Sequence, residues 1–169
     1  MERSDAGLVP AGEGWFVLNA RESRWFDGVF GAFTNFEGED RFSQLGINIA
    51  ILEPGQPACM YHREVCQEDF LVLAGTPIIL IEGEERQCKP WDLVHCPSWT
   101  EHVFVGAGDT HCVIVGVGSR AERGVVYPVS ELARSHAAGV PEETDQPKTA
   151  YAPYPQDDEV RYREGWLPG

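Results

Sequence analysis

The chain has 169 residues, a formal net charge of −14, and 43% hydrophobic and 11% aromatic residues. One domain of ordinary size fits that length and can bury a real core. The acidic balance without a Lys/Arg cluster excludes a nucleic-acid partner, and no apolar run is long enough to predict a transmembrane helix. The first residues, Met1-Glu2-Arg3-Ser4-Asp5, lack an apolar signal segment, so a cytoplasmic location is expected.

Met1 to Gly14 mixes polarities with Gly and Pro and is expected to be irregular. Trp15-Phe16-Val17-Leu18 predicts a strand, and Arg21 to Phe26 a polar-aromatic connection. Phe30 to Phe36 and Leu45 to Leu52 predict strands on either side of the acidic turn Glu37-Gly38-Glu39-Asp40. The apolar run Phe70-Leu71-Val72-Leu73 ends at the turn Ala74-Gly75-Thr76-Pro77. Ile78-Ile79-Leu80-Ile81 follows, and Glu82-Gly83-Glu84-Glu85 closes a hairpin. Gln87-Cys88, Leu93 to Cys96, His102 to Val105 and Cys112 to Val117 complete the series. Short strands at this spacing, in a chain with 18 glycines and 12 prolines, predict a sandwich or barrel.

After Tyr127 the texture changes. Val129 to Val140 predicts one short helix, with Ser130 as N-cap and Gly139 as its stop. Pro141 to Glu159, rich in proline and acid, predicts an extended arm. Arg161 to Pro168 carries aromatics that a free tail does not need, so it is expected to pack on the barrel or on a neighbouring subunit. The expected division is an N-terminal extension with one or two added strands (1–43), a barrel core (44–118), and a helix with an arm (119–169).

The chemistry concentrates in His62-Arg63-Glu64-Val65-Cys66-Gln67-Glu68 and in His102. Residues two apart on a strand share a face, so His62, Glu64 and Glu68 are expected to aim into one cavity. His102 joins them from the strand after the turn Pro97-Ser98-Trp99-Thr100. Imidazoles with carboxylates suit Fe, Mn, Ni, Co or Zn without any thiolate. A lone strand histidine is usually a satisfied core residue; four ligand types at this spacing weigh for a metal site. Glu64 also reads as an edge charge facing solvent. His95, His111 and His136 read as packed or surface residues, and Glu101 as a surface acid. The five cysteines form no Cys-x-x-Cys pair and read as free thiols. Cys66 shares the ligands' even spacing and is expected to line the cavity, as is Phe104 on the side of His102. Tyr61 should face away, and Trp99 should narrow the mouth. Phe70 and Trp91 are further candidates for the wall, which would enclose a small organic ligand.

These residues resemble the two motifs of the cupin family. Gly55, His62-x-Glu64, Glu68 and Gly75 follow its first motif. Pro97 and His102, with Trp91, Trp99 and Gly106 in place of two glycines and an asparagine, follow its second. Glu64 stands where that family usually has a second histidine. The resemblance covers roughly residues 44 to 118. It implies an all-β fold, the double-stranded β-helix or cupin/jelly-roll barrel. It also implies metal ligation by His62, Glu68 and His102, and a homodimer. Cupin relatives include dioxygenases, sugar-phosphate isomerases, epimerases, decarboxylases and lyases. The expected function is therefore metal-dependent catalysis on a small organic molecule, with Glu64 or Glu68 as a possible general base. The alternative is a non-catalytic cupin that captures a small metabolite or sugar. A transcription regulator is set aside, since one short helix makes no helix-turn-helix. Phosphorylated sugars are disfavoured, because no cationic cluster flanks the site; Arg63 and Arg86 are the nearest candidates.

Overall fold

The computed structural model describes residues 1–12 and 14–169. Glu13, within the stretch expected to be irregular, lies outside the described residues. The chain opens with β1 (Glu2–Ser4) and β2 (Gly7–Val9), then β3 (Arg24–Gly28), β4 (Gly31–Thr34) and β5 (Leu45–Leu52). The central strands are β6 (Arg63–Glu64), β7 (Glu68–Ala74), β8 (Ile78–Ile81), β9 (Glu84–Gln87), β10 (Leu93–Cys96), β11 (His102–Val105) and β12 (Cys112–Ser119). Then come β13 (Val125–Val126), α1 (Glu131–Ser135), α2 (Pro147–Ala150) and β14 (Asp158–Arg161).

A seven-stranded sheet runs β10-β7-β12-β5-β4-β3-β14, and a three-stranded sheet runs β11-β8-β9. Every strand pairing is antiparallel. The free edge of β11 meets residues 57 and 62 through isolated bridges, Pro57 to Val105 and His62 to His102. The architecture is all-β as expected, with two further two-stranded pairs, β1-β2 and β13-β6, but its hydrogen bonding does not close into the expected barrel.

The apolar strands are continuous rather than alternating because both faces of the large sheet are covered. On the inner face Leu52, Val72, Phe104, Cys112 and Ile114 form the core between the sheets. On the outer face Ile51 and Val113 pack with Trp25 and Trp166, with Tyr162 and Leu167 beside them. The tail therefore packs on its own chain: β14 pairs with β3, and the Trp25 and Trp166 rings lie 5.1 Å apart. Outside the small sheet, Tyr61, Leu80, Val103 and Val105 pack against Ala133 and Ala138 beside α1.

Several expectations need correction. Residues 2–9 form the β1–β2 hairpin, not an irregular stretch. Trp15 to Leu18 joins no sheet, and Trp15 and Val17 are 91% and 86% exposed. The expected connection at Arg21 to Phe26 is half strand, because Arg24–Gly28 finds partners in β4 and in the distant β14. The helix is shorter than its sequence pattern. Ser130 caps it as expected, accepting from the Ala133 N–H at 3.2 Å. It ends because Ala137 turns left-handed at φ +57°; Gly139 serves instead a close approach, since a Cβ there would sit 2.7 Å from the Arg134 backbone nitrogen. The arm contains α2, started by Pro147 at its first turn.

Candidate metal centre

His62 and His102 face each other across two chain segments and exchange both backbone hydrogen bonds. The His62 N–H donates to the His102 carbonyl at 3.2 Å, and the His102 N–H donates to the His62 carbonyl at 2.8 Å. Directly opposed residues put their side chains on one face, and the imidazole centroids lie 4.9 Å apart. Glu68 enters from the opposing large sheet at the start of β7, paired with Cys96 and Gly118. Its Oε2 lies 3.2 Å from His102 Nε2 and 3.7 Å from His62 Nε2.

Backbone carbonyls fix the ring orientations. His62 Nδ1 donates to the Met60 carbonyl at 2.8 Å, and His102 Nδ1 donates to the Thr100 carbonyl at 3.0 Å. Each ring then directs Nε2 at Glu68, as in the outer-shell arrangement that holds ligating histidines. His102 Nε2 and Glu68 Oε2 are buried and make no hydrogen bond. Buried polar atoms without partners are rare and costly. Here two of them converge, and one ligand atom from each of His62, Glu68 and His102 lies within 4.8 Å of the others. Two nitrogens and a carboxylate oxygen in that arrangement fit a divalent metal.

Without metal, the same groups charge one another. Burial opposes a proton on His102, yet Cys96 and Glu68 push it up to about 9. Burial also opposes charge on His62, but Cys59 and Glu68 hold it well above the ordinary imidazole value. Against its own burial, Glu68 is pulled down to about 2 by His102 and His62.

Glu64 sits at the rim. Its Oε1 is 3.6 Å from His62 Nε2, but it lies outside the tight three-residue cluster, and its side chain is 38% exposed. Burial and the charge of Glu68 raise its carboxyl. It faces recesses lined by Arg41 and Arg120.

The cluster closes one end of a cavity of about 250 Å³ between the sheets. Phe70 and Phe104, in contact at 5.2 Å between centroids, form one wall. Phe30 and Phe33 from the β3–β4 hairpin, with Ala50, Ala58, Val103 and Ile114, form the rest of the apolar lining. Beyond the cluster, Asn48 and Cys59 are its polar lining. Phe30 is braced edge-on by Tyr151 and Tyr154, and the Tyr151 hydroxyl accepts the Met60 N–H at 3.1 Å. The segment after β13 thus shapes the site.

Phe104 lines the cavity as expected, and Phe70 with it. Tyr61 faces away, its hydroxyl accepting the Gly83 N–H at 3.1 Å. Cys66 does not line this cavity. It lies in a separate recess with Gln67 and Glu122, its sulfur bonded to the Glu122 backbone. The chain bends between β6 and β7, so even spacing fails at residue 66. Trp99 does not narrow the mouth: it rests against Gly124 and is 47% exposed, while Trp91 is 75% exposed. His95, His111 and His136 pair with Asp69, the Trp166 carbonyl and Glu85. Phe30, Phe33, Asn48, Cys59 and Arg41 were not singled out from the sequence. For Asn48 the signal existed, a polar residue in step with Ala50 and Leu52 on β5; for the others none was local.

An antiparallel two-sheet fold with a buried cluster of metal-ligating residue types is the class that fold and site define. Residues 48–118 match the family model of the cupin domain. A 59-residue stretch is 30% identical to a 5-nitrosalicylic acid 1,2-dioxygenase from Bradyrhizobium, covering 35% of this chain and 28% of that protein. The chain thus spans under a third of that relative's length. Among solved structures, a polyketide cyclase from Streptomyces resistomycificus is similar at 16% identity and a TM-score of 0.49, over 57% of this chain and 69% of that one. A cupin-like protein from Thermotoga maritima is similar at 20% identity and a TM-score of 0.48, over 57% and 73%. Among the described residues, no helix is long and apolar enough to cross a membrane.

Proposed function

We propose that this protein is a metal-dependent enzyme acting on a small organic molecule, with His62, Glu68 and His102 holding one divalent ion of Fe, Mn, Ni, Co or Zn. The observation that carries the reading is the convergence of the buried His102 Nε2 and Glu68 Oε2, neither of them hydrogen-bonded, with His62 at the end of a cavity large enough for a ligand. Such an ion supplies Lewis-acid or redox chemistry. The two histidines and Glu68 orient it, and the phenylalanine walls exclude water and strengthen every charge interaction inside. Glu64 Oε1, at the open side of the cluster, is placed to take a proton from the substrate and return it. The dioxygenase named above supports oxygen chemistry as the first reaction to assay.

The test is turnover by protein loaded with each metal in turn, offered a panel of small organic molecules, with oxygen uptake and product formation followed together. Conversion by the wild type that is lost in His102→Ala is the expected result. Ligands that bind the loaded protein and are recovered unchanged would favour the alternative, a binding cupin that breaks no bond.

A further inference from the structure

We infer that the cavity takes a single-ring aromatic carboxylate, its ring between the phenylalanine walls and its acid group at the guanidinium of Arg41. This rests on the reading of the site as one for a small organic molecule and names the class of that molecule.

Size sets the first limit. A dry apolar cavity of about 150 Å³ accommodates benzene, so about 250 Å³ holds one ring with one or two substituents. Phe30, Phe33, Phe70 and Phe104 supply flat apolar walls, against which an aromatic ring gains offset or edge contacts beyond its burial.

Charge sets the second. The chain carries −14, yet Arg41 lines two recesses that share walls with the cavity. One shares Phe30, Phe33, Ala58 and Cys59 with it; the other shares Phe33, Asn48 and Glu68. Of the other cations near the site, three are committed, and Arg123 lines only a recess that shares no wall with the cavity. Arg63 pairs with Glu101 at 2.7 Å, Arg86 with Glu84, and Arg120 forms a two-pronged pair with Glu37. Lys148 lines one of the two recesses alone. Among the described residues Arg41 has no carboxylate within ion-pair distance, and its planar fork matches a carboxylate in two parallel hydrogen bonds. Glu37, Glu64 and Glu68 line the same recess; Glu37 is taken up by Arg120, while Glu64 and Glu68 repel an anion and hold the acid group toward Arg41.

The experiment is calorimetric titration of the full chain with benzoate, benzyl alcohol and acetate, for wild type, Arg41→Gln and Lys148→Gln, with metal content measured on every sample. Benzoate should bind the wild type more tightly than either other probe, because only it offers both ring and charge. Arg41→Gln should weaken benzoate about tenfold or more, the worth of a hydrogen-bonded charge pair, and leave benzyl alcohol unchanged, which also shows that the variant folds. Unaltered benzoate binding by Arg41→Gln overturns the assignment, as does a larger loss in Lys148→Gln or a wild type that ignores benzoate at millimolar concentration. The two readings fail separately. Metal bound without benzoate binding sinks the ligand class, whereas benzoate binding by protein that never takes up metal sinks the metal centre.

Discussion

Metal entering this cluster must displace protons, and the structure sets how many. His102 is held at about 9 in the metal-free protein, two units above neutral pH, so it is about 99% protonated at pH 7. His62 is held well above the ordinary imidazole value, while Glu68 at about 2 is fully ionised. Each ion bound through both Nε2 atoms should therefore release about one proton from His102 at pH 7, and a further share from His62. Two histidines at the ordinary value would together release only about half a proton, since each would be roughly a quarter charged. The assay is calorimetric titration of Zn or Mn into metal-free protein, repeated in buffers of different ionisation enthalpy; the slope of heat against that enthalpy counts the protons. Repeating it at pH 9 should lower the count, because His102 is then about half deprotonated beforehand. A release of half a proton or less at pH 7, or a count that does not change with pH, would refute the reasoning.

The same shifts fix the pH dependence of the metal-free protein. His102 rises from 6.5 to about 9 on folding, so its contribution is full below pH 6.5 and is lost as pH climbs through 9; the melting temperature should fall over that window, and a flat profile would contradict the pairing. Trp166→Ala removes a nearly buried ring from the face of Trp25 and should cost about 3–5 kcal/mol, roughly 6–20 °C in melting temperature. Because that face points away from the cavity, metal stoichiometry should be unaltered, and its loss would show the faces to be coupled. Trp91 and Trp99 adopt φ of +76° and +66°, a region that strains any side chain by about 1–2 kcal/mol. Trp99 is the more buried of the two, so by burial Trp99→Gly should cost about 1 kcal/mol more than Trp91→Gly, which should be near neutral. Chemical denaturation reads the difference, and the reverse order would show that burial is not what separates them.

Strands bounded by strong turn chemistry were legible in the sequence. Leu45–Leu52, Ile78–Ile81, Leu93–Cys96 and His102–Val105 fall where the apolar runs put them. The hairpin at Glu82-Gly83 uses two left-handed residues, φ +49° and +78°, as a two-residue turn of this kind requires. Pairings between distant residues were not legible. Arg24–Gly28 is a strand because Asp158–Arg161 returns to its edge, and nothing local announces that; Trp15 to Leu18 has strand chemistry and no edge to join. The site divides the same way. Spacing brought out His62, Glu68 and His102, because cross-strand pairing turns sequence parity into a shared face. It misplaced Cys66, since parity holds only along an unbroken strand and the chain bends at residues 65–67. Phe30 and Phe33 reach the cavity, and Arg41 the recesses beside it, from outside the motif region, and only the folded sheets bring them there.

The most direct test is the metal content of protein purified without an affinity tag, wild type beside Glu68→Gln and the His62→Ala/His102→Ala pair. The account predicts about one equivalent of a divalent transition metal in the wild type, a marked loss in Glu68→Gln and none in the double variant. A wild type that stays metal-free after reconstitution, or a double variant that holds metal as the wild type does, would contradict it.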